Sequence, residues 1–236
     1  MKKEILIVKN NINEGPGLLE EILKEKKIEH FITELGKREK IPPVENFGAI
    51  VILGGPASAN DTDEIMEDEL IFIRKVLDLK IPYLGICLGL QVLVKASGGK
   101  VVESPVKEVG FLDPDGNDFT IELTDEGKQD PLFEGLSSPF KVFHLHGETV
   151  ELTHDMTLLA TGKFCNNQVV KIGPNAYGIQ SHFELTQLMF DDWTKGDPDL
   201  LKLNAEYLRS VFNKIKSEYT KTGKQLFHNF IKIAGY

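Results

Sequence analysis

The stretch Leu84-Gly85-Ile86-Cys87-Leu88-Gly89-Leu90-Gln91 constrains the fold of this chain more than any other. An apolar run from Ile81 to Ile86 ends in a cysteine that has a glycine two residues before it and another two after. A segment with helical character follows at once. This is the strand–turn–helix layout of a nucleophile elbow, where a nucleophile sits on a tight, strained turn at a strand end. A Cβ at either glycine position would collide across such a turn. The competing reading of Cys87 is a buried small hydrophobe, the usual fate of a free cysteine.

The elbow needs strands on both sides, and the flanking sequence supplies them. Ile5 to Val8 is a short apolar run of the kind buried on both faces of a parallel sheet. Leu18 to Leu23 has helical spacing, Ile28 to Glu34 alternates as a strand, and Ala49 to Leu53 is a third strand. That strand ends in Gly54-Gly55-Pro56, which no helix could pass through. Asp61, Asp63 and Glu64 mark the acidic start of a helix reaching about Leu79. Tyr83 to Ile86 is the fourth strand and Leu88 to Ala96 the helix behind the elbow. The β-α-β-α rhythm predicts an α/β fold with a doubly wound, mostly parallel sheet and ligands beyond the carboxyl ends of the strands. Gly54-Gly55-Pro56 and Cys87 both lie at such ends, although a glycine pair is also an ordinary βα turn.

From Lys100 to Lys171 the pattern shortens to alternating pieces at Val101–Glu103, Phe119–Leu123, Phe140–Phe143 and Gln168–Lys171. Turn residues divide them, so an antiparallel edge is expected. Ala176 to Ser181 reads as the last strand and runs into His182-Phe183-Glu184. Beyond Leu185 a helical C-terminal extension is expected, broken into segments by Gly196-Asp197-Pro198 and Gly223. Two parts follow, a domain over 1–185 and an extension over 186–236 packed on it.

A cysteine attacks as a thiolate, which a helix start favours and a nearby base completes. His182 and Glu184, two residues apart on an extended segment, leave the same face, so the carboxylate can fix the imidazole tautomer. An isolated histidine there would read as a satisfied strand-end residue. Oxyanion donors are expected from the N–H of Leu88, by the logic of the elbow, and from Gly55.

Together, Gly54-Gly55-Pro56, the elbow with its trailing Gln91, and His182-Phe183-Glu184 resemble the class I (triad) glutamine amidotransferase family in order and spacing over roughly residues 1–185. The resemblance implies a flavodoxin-like sheet, a Cys87-His182-Glu184 triad, a γ-glutamyl thioester on Cys87 and released ammonia. It implies oxyanion contacts from Gly55 and Leu88 and substrate contacts from Gly54 and Gln91. Glu108-Val109-Gly110-Phe111 and His144 to Thr149 are similar to stand-alone, GMP-synthase-like members, in which His146-Gly147 would line the glutamine pocket. The family usually has proline where this chain has Phe183. His144 and His146 share a strand face and could instead ligate a metal, though no zinc-type spacing joins them. Neither a metal nor another cofactor is expected.

Composition bounds the partners. A net charge of −9 with no basic cluster argues against nucleic acid. Only two cysteines occur, Cys87 and Cys165, and both read as reduced thiols of a cytoplasmic protein; Cys165 receives no role. No window approaches the ~18 apolar residues of a membrane span. No Gly-x-x-x-x-Gly-Lys-[Ser/Thr] loop and no room for an ATP-dependent domain are seen, so any synthetase receiving ammonia would be a separate subunit. Three readings stand: a glutamine amidotransferase or glutaminase, a γ-glutamyl peptidase or hydrolase acting on a larger γ-glutamyl amide, and a catalytically silent binding or regulatory protein on the same fold.

Overall fold

A computed structural model describes residues 3–236; Met1 and Lys2 lie outside it. In chain order the elements are β1 (Glu4–Lys9), α1 (Gly17–Glu25), β2 (His30–Glu34), β3 (Phe47–Ile52), α2 (Glu64–Asp78), β4 (Tyr83–Ile86) and α3 (Leu88–Ala96). There follow β5 (Lys100–Gly110), β6 (Thr120–Leu123), α4 (Asp125–Gln129), β7 (Phe140–Lys141), β8 (His144–Glu151), β9 (Met156–Gly162), β10 (Val169–Ile172) and β11 (Ala176–Ile179). Two helices close the chain, α5 (Gln187–Gly196) and α6 (Ala205–Ile233).

One sheet of nine strands runs in the order β2-β1-β3-β4-β11-β10-β9-β6-β7. The first five pair in parallel and the rest antiparallel. In β1, β3, β4 and β11 the apolar runs are continuous because these strands are covered on both faces, whereas the edge strand β2 alternates and leaves Phe31 exposed. Ile5 and Ile7 face α1, α5 and α6, whereas Leu6 and Val8 face α2 and α3. The acidic start of α2 resolves into a cap: Asp63 accepts from the N–H groups of Ile65 and Met66.

Three differences from the sequence reading have physical causes. Strand β5 extends to Gly110 and pairs antiparallel with β8 as a ribbon outside the main sheet. Its second half, Ser104 to Glu108, mixes polar and apolar residues around a proline, which hides the strand period. Strand β9 is absent from the sequence reading because Thr157, Thr161 and Gly162 dilute its apolar residues. The expected break at Gly223 does not occur, and α6 runs through it for 29 residues. A Cβ there would sit 2.4 Å from the carbonyl oxygen of Phe183, so this glycine serves close packing instead of ending a helix.

Glu69 on α2 is completely buried. Its carboxylate accepts from Asn10 Nδ2 at 3.2 Å, and the same amide donates to the Leu53 carbonyl at 3.2 Å, beside the Gly54-Gly55 turn. Burial, opposed only by the Asn10 bond, pushes the Glu69 carboxyl up to about 7. The folded protein therefore binds this proton more tightly than the unfolded chain, and stability falls as pH rises from the ordinary carboxylate range through about 7. Because glutamine does not titrate, Glu69→Gln is expected to gain about 2–3 kcal/mol relative to the native protein between about pH 5 and pH 8. Urea denaturation of both proteins at the two pH values checks this, and parallel pH profiles would refute it.

Candidate active site

Cys87 follows β4 and precedes α3, and its backbone adopts φ 53° and ψ −106°. That left-handed conformation costs a residue with a Cβ about 1–3 kcal/mol and persists only when its surroundings hold it. Here the Cys87 N–H donates to the Ile179 carbonyl at 2.7 Å, and its own carbonyl accepts from Leu90 and Gln91 at 3.0 and 3.2 Å. The flanking glycines are sterically required. A Cβ on Gly85 would lie 2.2 Å from the Gly89 carbonyl oxygen, and one on Gly89 would lie 2.2 Å from that of Ile52. The thiol thus sits at the N-terminus of α3, where free N–H groups favour a thiolate.

Parallel pairing of β4 with β11 sets Ile86 opposite Ile179, so the chain leaving β11 passes beside the elbow. His182 is fixed there by its N–H, which donates to the Phe143 carbonyl at 2.9 Å. Its Nδ1 lies 2.6 Å from Glu184 Oε1, and both side chains are buried. Burial opposes a charge on His182, but the Glu184 carboxylate and hydrogen bonds to Cys87 and Glu184 outweigh it, raising its pKa well above the usual histidine value. With Nδ1 committed to the carboxylate, Nε2 is the nitrogen available to sulfur.

Phe183 changes how this segment is held. Its N–H donates to Glu184 Oε2 at 3.0 Å, a bond that proline could not make. Its ring stacks on Tyr219 of α6 with centroids 6.5 Å apart, and the Tyr219 hydroxyl donates to the His182 carbonyl at 2.8 Å. Gly223 lets α6 approach the Phe183 backbone. The long C-terminal helix therefore packs directly behind the His182–Glu184 pair.

A cavity of ≈ 340 Å³ opens in front of the cysteine, and Gly55, Gln91, His146 and Gly147 all line it. Leu88, the first residue of α3, has an N–H without an i−4 partner by its position, and its Cδ2 would lie 3.4 Å from a Cβ on Gly55. Gly54 stands between Cys87 and His182: a Cβ there would be 3.4 Å from Cys87 Cβ and 3.2 Å from His182 Cε1. Gln91 donates to the Glu148 carbonyl at 3.2 Å, which ties its amide to β8. A larger hollow of ≈ 870 Å³, between the 38–44 segment and the start of α2, holds none of these groups.

His146 faces inward as well as lining the cavity. Its Nδ1 is 3.0 Å from the Glu148 carbonyl and its Nε2 is 2.9 Å from Glu108 Oε2. Glu108, His144 and His146 are buried together with their ligand-type atoms within 4.8 Å of one another, a donor set that could take a divalent ion. The Glu108 carboxylate already accepts from Gln168 Nε2 at 3.3 Å, so the cluster also has partners of its own. Burial lowers the His144 pKa well below its usual value, with the charges of His146 and His182 adding to the effect.

Three site residues escaped the sequence reading. Gln180 donates to Cys87 Sγ at 3.7 Å from the end of β11. Glu14, in the β1–α1 loop, places Oε2 so that a Gly54 Cβ would meet it at 2.3 Å. Tyr219 acts from a helix far along the chain. None of them belongs to a local motif, and only the folded topology brings them in. Cys165 is buried beside Thr149 Oγ1 at 3.1 Å, and burial pushes its thiol up to about 11, which makes it unreactive.

A model of the glutamine amidotransferase class-I family matches residues 19–192. The glutamine amidotransferase-like protein YfeJ of Salmonella typhimurium is 34% identical over 154 residues, 63% of this chain and 62% of that protein. The glutamine-hydrolyzing GMP synthase of Thermosipho africanus is 37% identical over 150 residues, 62% of this chain but 26% of the synthase. The matched stretch thus spans less than two thirds of YfeJ and about a quarter of the synthase. A crystal structure of a glutamine amidotransferase from Thermotoga maritima aligns with a TM-score of 0.87 at 25% identity, covering 98% of this chain and 99% of that one. This structural likeness continues through the C-terminal helices, beyond the residues matched by the family model.

Removing the hydroxyl that holds the His182 carbonyl tests the contribution of α6. Tyr219→Phe is expected to lose about 1–3 kcal/mol of stability, the cost of withdrawing a donor from a buried acceptor. Urea denaturation reads the change, and a loss below roughly 0.5 kcal/mol would show that the bond holds nothing.

Proposed function

The chain belongs to the glutamine amidotransferase class-I family, and from that premise we propose that it hydrolyses the side-chain amide of glutamine through a γ-glutamyl thioester on Cys87. Cys87 is the nucleophile, His182 the base and then the acid, and Glu184 the group that orients the imidazole. The thiolate attacks the γ-carbonyl carbon, and the developing oxyanion meets the N–H groups of Leu88 and Gly55. His182 gives its proton to the leaving nitrogen, the C–N bond breaks and ammonia departs. Water, deprotonated by His182, then attacks the thioester, and glutamate leaves as the C–S bond breaks. Gln91 and Gly147 hold the α-amino and α-carboxylate end, while His146 keeps the β8 wall in place against Glu108.

The observation that carries this reading is the 2.6 Å His182–Glu184 contact at the end of β11, next to a cysteine held on a left-handed turn. The Glu184 carboxylate raises the His182 pKa, which equips the imidazole to hold the proton it later gives to the leaving nitrogen. Ammonia passes to a separate synthetase, as the match to one part of glutamine-hydrolyzing GMP synthases supports. Residues 186–236 form an extension of the same domain. Among the described residues no helix is long and apolar enough to cross a membrane, and we place the protein in the cytoplasm, where free thiols persist.

Cys87→Ala is expected to lower glutamine hydrolysis by on the order of 10⁴-fold or more, with the fold intact by circular dichroism. Mass spectrometry of the native protein quenched in acid during turnover should find a γ-glutamyl adduct on Cys87. Equal turnover by the two proteins would sink the proposal. In a separate measurement, Glu184→Gln should lower kcat by about 10²–10⁴-fold, because the imidazole loses its orienting carboxylate.

A further inference from the structure

The cavity in front of Cys87 does not end at the glutamine-sized space. A second chamber of ≈ 230 Å³ adjoins it, and the two share Glu14, Leu145 and Asp197 among their lining residues. The chamber is walled by the β1–α1 loop and by α5, with Trp193, Asp192 and Asp197 facing Asn13 and Glu14. The Trp193 indole N–H donates to the Asn13 carbonyl at 3.0 Å, which pins the loop to the helix. The same ring meets His182 edge-on with centroids 5.1 Å apart, so Trp193 joins the chamber wall to the imidazole.

Position assigns a role to this space. Gln91, His146 and Gly147 line the cavity from α3 and β8, whereas His182 and Glu14 meet around Gly54. A general acid must face the nitrogen it protonates, so whatever is attached to that nitrogen extends along the His182 side. Free glutamine has only hydrogens there and leaves the chamber vacant.

Charge assigns a class of occupant. Among the described residues three carboxylates line the chamber and no lysine, arginine or histidine does. Among the described residues Glu14 has one hydrogen-bond donor, Asn11 Nδ2 at 3.3 Å. Burial pushes its carboxyl up, the charge of His182 and the Asn11 bond pull it down, and Glu184 and Asp197 push it up again. A carboxylate with one donor, open to both cavities beside the reaction centre, is placed to receive a cation.

We propose that this chamber is the leaving-group subsite of the Cys87 reaction, and that it selects γ-glutamyl amides of amines bearing a second, positively charged amino group. The inference rests on the Cys87 acyl-transfer reading and sharpens its substrate. The thiolate forms the C–S bond, the amide C–N bond breaks, His182 supplies the proton to the leaving nitrogen, and the free diamine departs through the chamber. Water then releases glutamate as before.

The test compares kcat/KM of the intact protein for glutamine, the γ-glutamyl amide of 1,4-diaminobutane, γ-glutamyl-n-butylamide and γ-glutamyl-4-aminobutyrate. The butylamide has the same chain length without the charge, and the aminobutyrate reverses the charge. The cationic amide should exceed the butylamide by about fivefold to tenfold at low ionic strength, and the ratio should shrink as salt is added. Glu14→Gln should collapse that ratio, and Asp192→Asn, at an exposed position that tolerates change, should reduce it. Equal rates for the three larger amides, or a preference for the anionic one, would overturn the proposal. So would a Glu14→Gln defect equal for glutamine and the cationic amide, since it would place Glu14 at the substrate's α-ammonium. An adduct on Cys87 formed from glutamine separates these failures from failure of the acyl-transfer reading. If none of the four compounds acylates Cys87, both fall together.

Discussion

The parallel pairing of β4 with β11 is the interaction on which the rest of the molecule depends. It joins residues 83–86 to residues 176–179 in register, with the Cys87 N–H completing the ladder on the Ile179 carbonyl. A parallel pair cannot be closed by a hairpin, so the chain between must travel out and back. It does so through the β5–β8 ribbon and the antiparallel strands β6, β7, β9 and β10. The consequence is that a strained turn at one strand end and a histidine beyond the other meet without either strand bending. If the register slipped by one residue, Gly178 would no longer sit where Leu90 of α3 crosses it, and His182 would move to the other face.

The strain at Cys87 needs rigid surroundings, and those come from both sides of the sheet. On one side α3 lies against Ile52, Gly178 and Tyr83, the last donating to the Gly89 carbonyl at 2.7 Å. On the other side α6 seats Tyr219 against the His182 carbonyl and Gly223 against that of Phe183. A proline at position 183 would restrict the backbone covalently. This chain uses tertiary packing instead, and it gains an N–H for the second oxygen of Glu184. The C-terminal helix is thereby joined to the site physically, although none of its side chains lines the cavity before the cysteine.

The sequence disclosed whatever was encoded locally. The elbow was legible because its tight turn brings Gly85 against Gly89 four residues on, and His182 with Glu184 because alternation along an extended segment puts both on one face. Four of the five parallel strands were legible because burial on both sides leaves continuous apolar runs, and the edge strand β2 was legible by its alternation. What stayed hidden depends on partners distant in the chain. Gly223 looks like a helix breaker until Phe183 is packed against it, and Glu69 looks like a surface residue of α2 until Asn10 meets it. Glu14 lies in a polar loop with no motif around it. Its meaning comes from Gly54 and His182, 40 and 168 residues further on.

Three glutamates near the site show how environment divides one side chain among different tasks. Glu184 has both oxygens filled, one by the His182 imidazole and one by the Phe183 N–H, which suits a fixed charge that orients a base. Glu69 has a single amide donor and no access to water, so desolvation wins and its proton stays on to about pH 7. Glu14 lies between these limits, with one donor, a neighbouring imidazole that is itself paired, and a face open to the cavity. The first is complete and the second is sealed under the Gly54-Gly55 turn, so neither has reason to bind anything further. Only the third is left both short of partners and open to the cavity, and it stands beside Gly54 with His182 and Cys87.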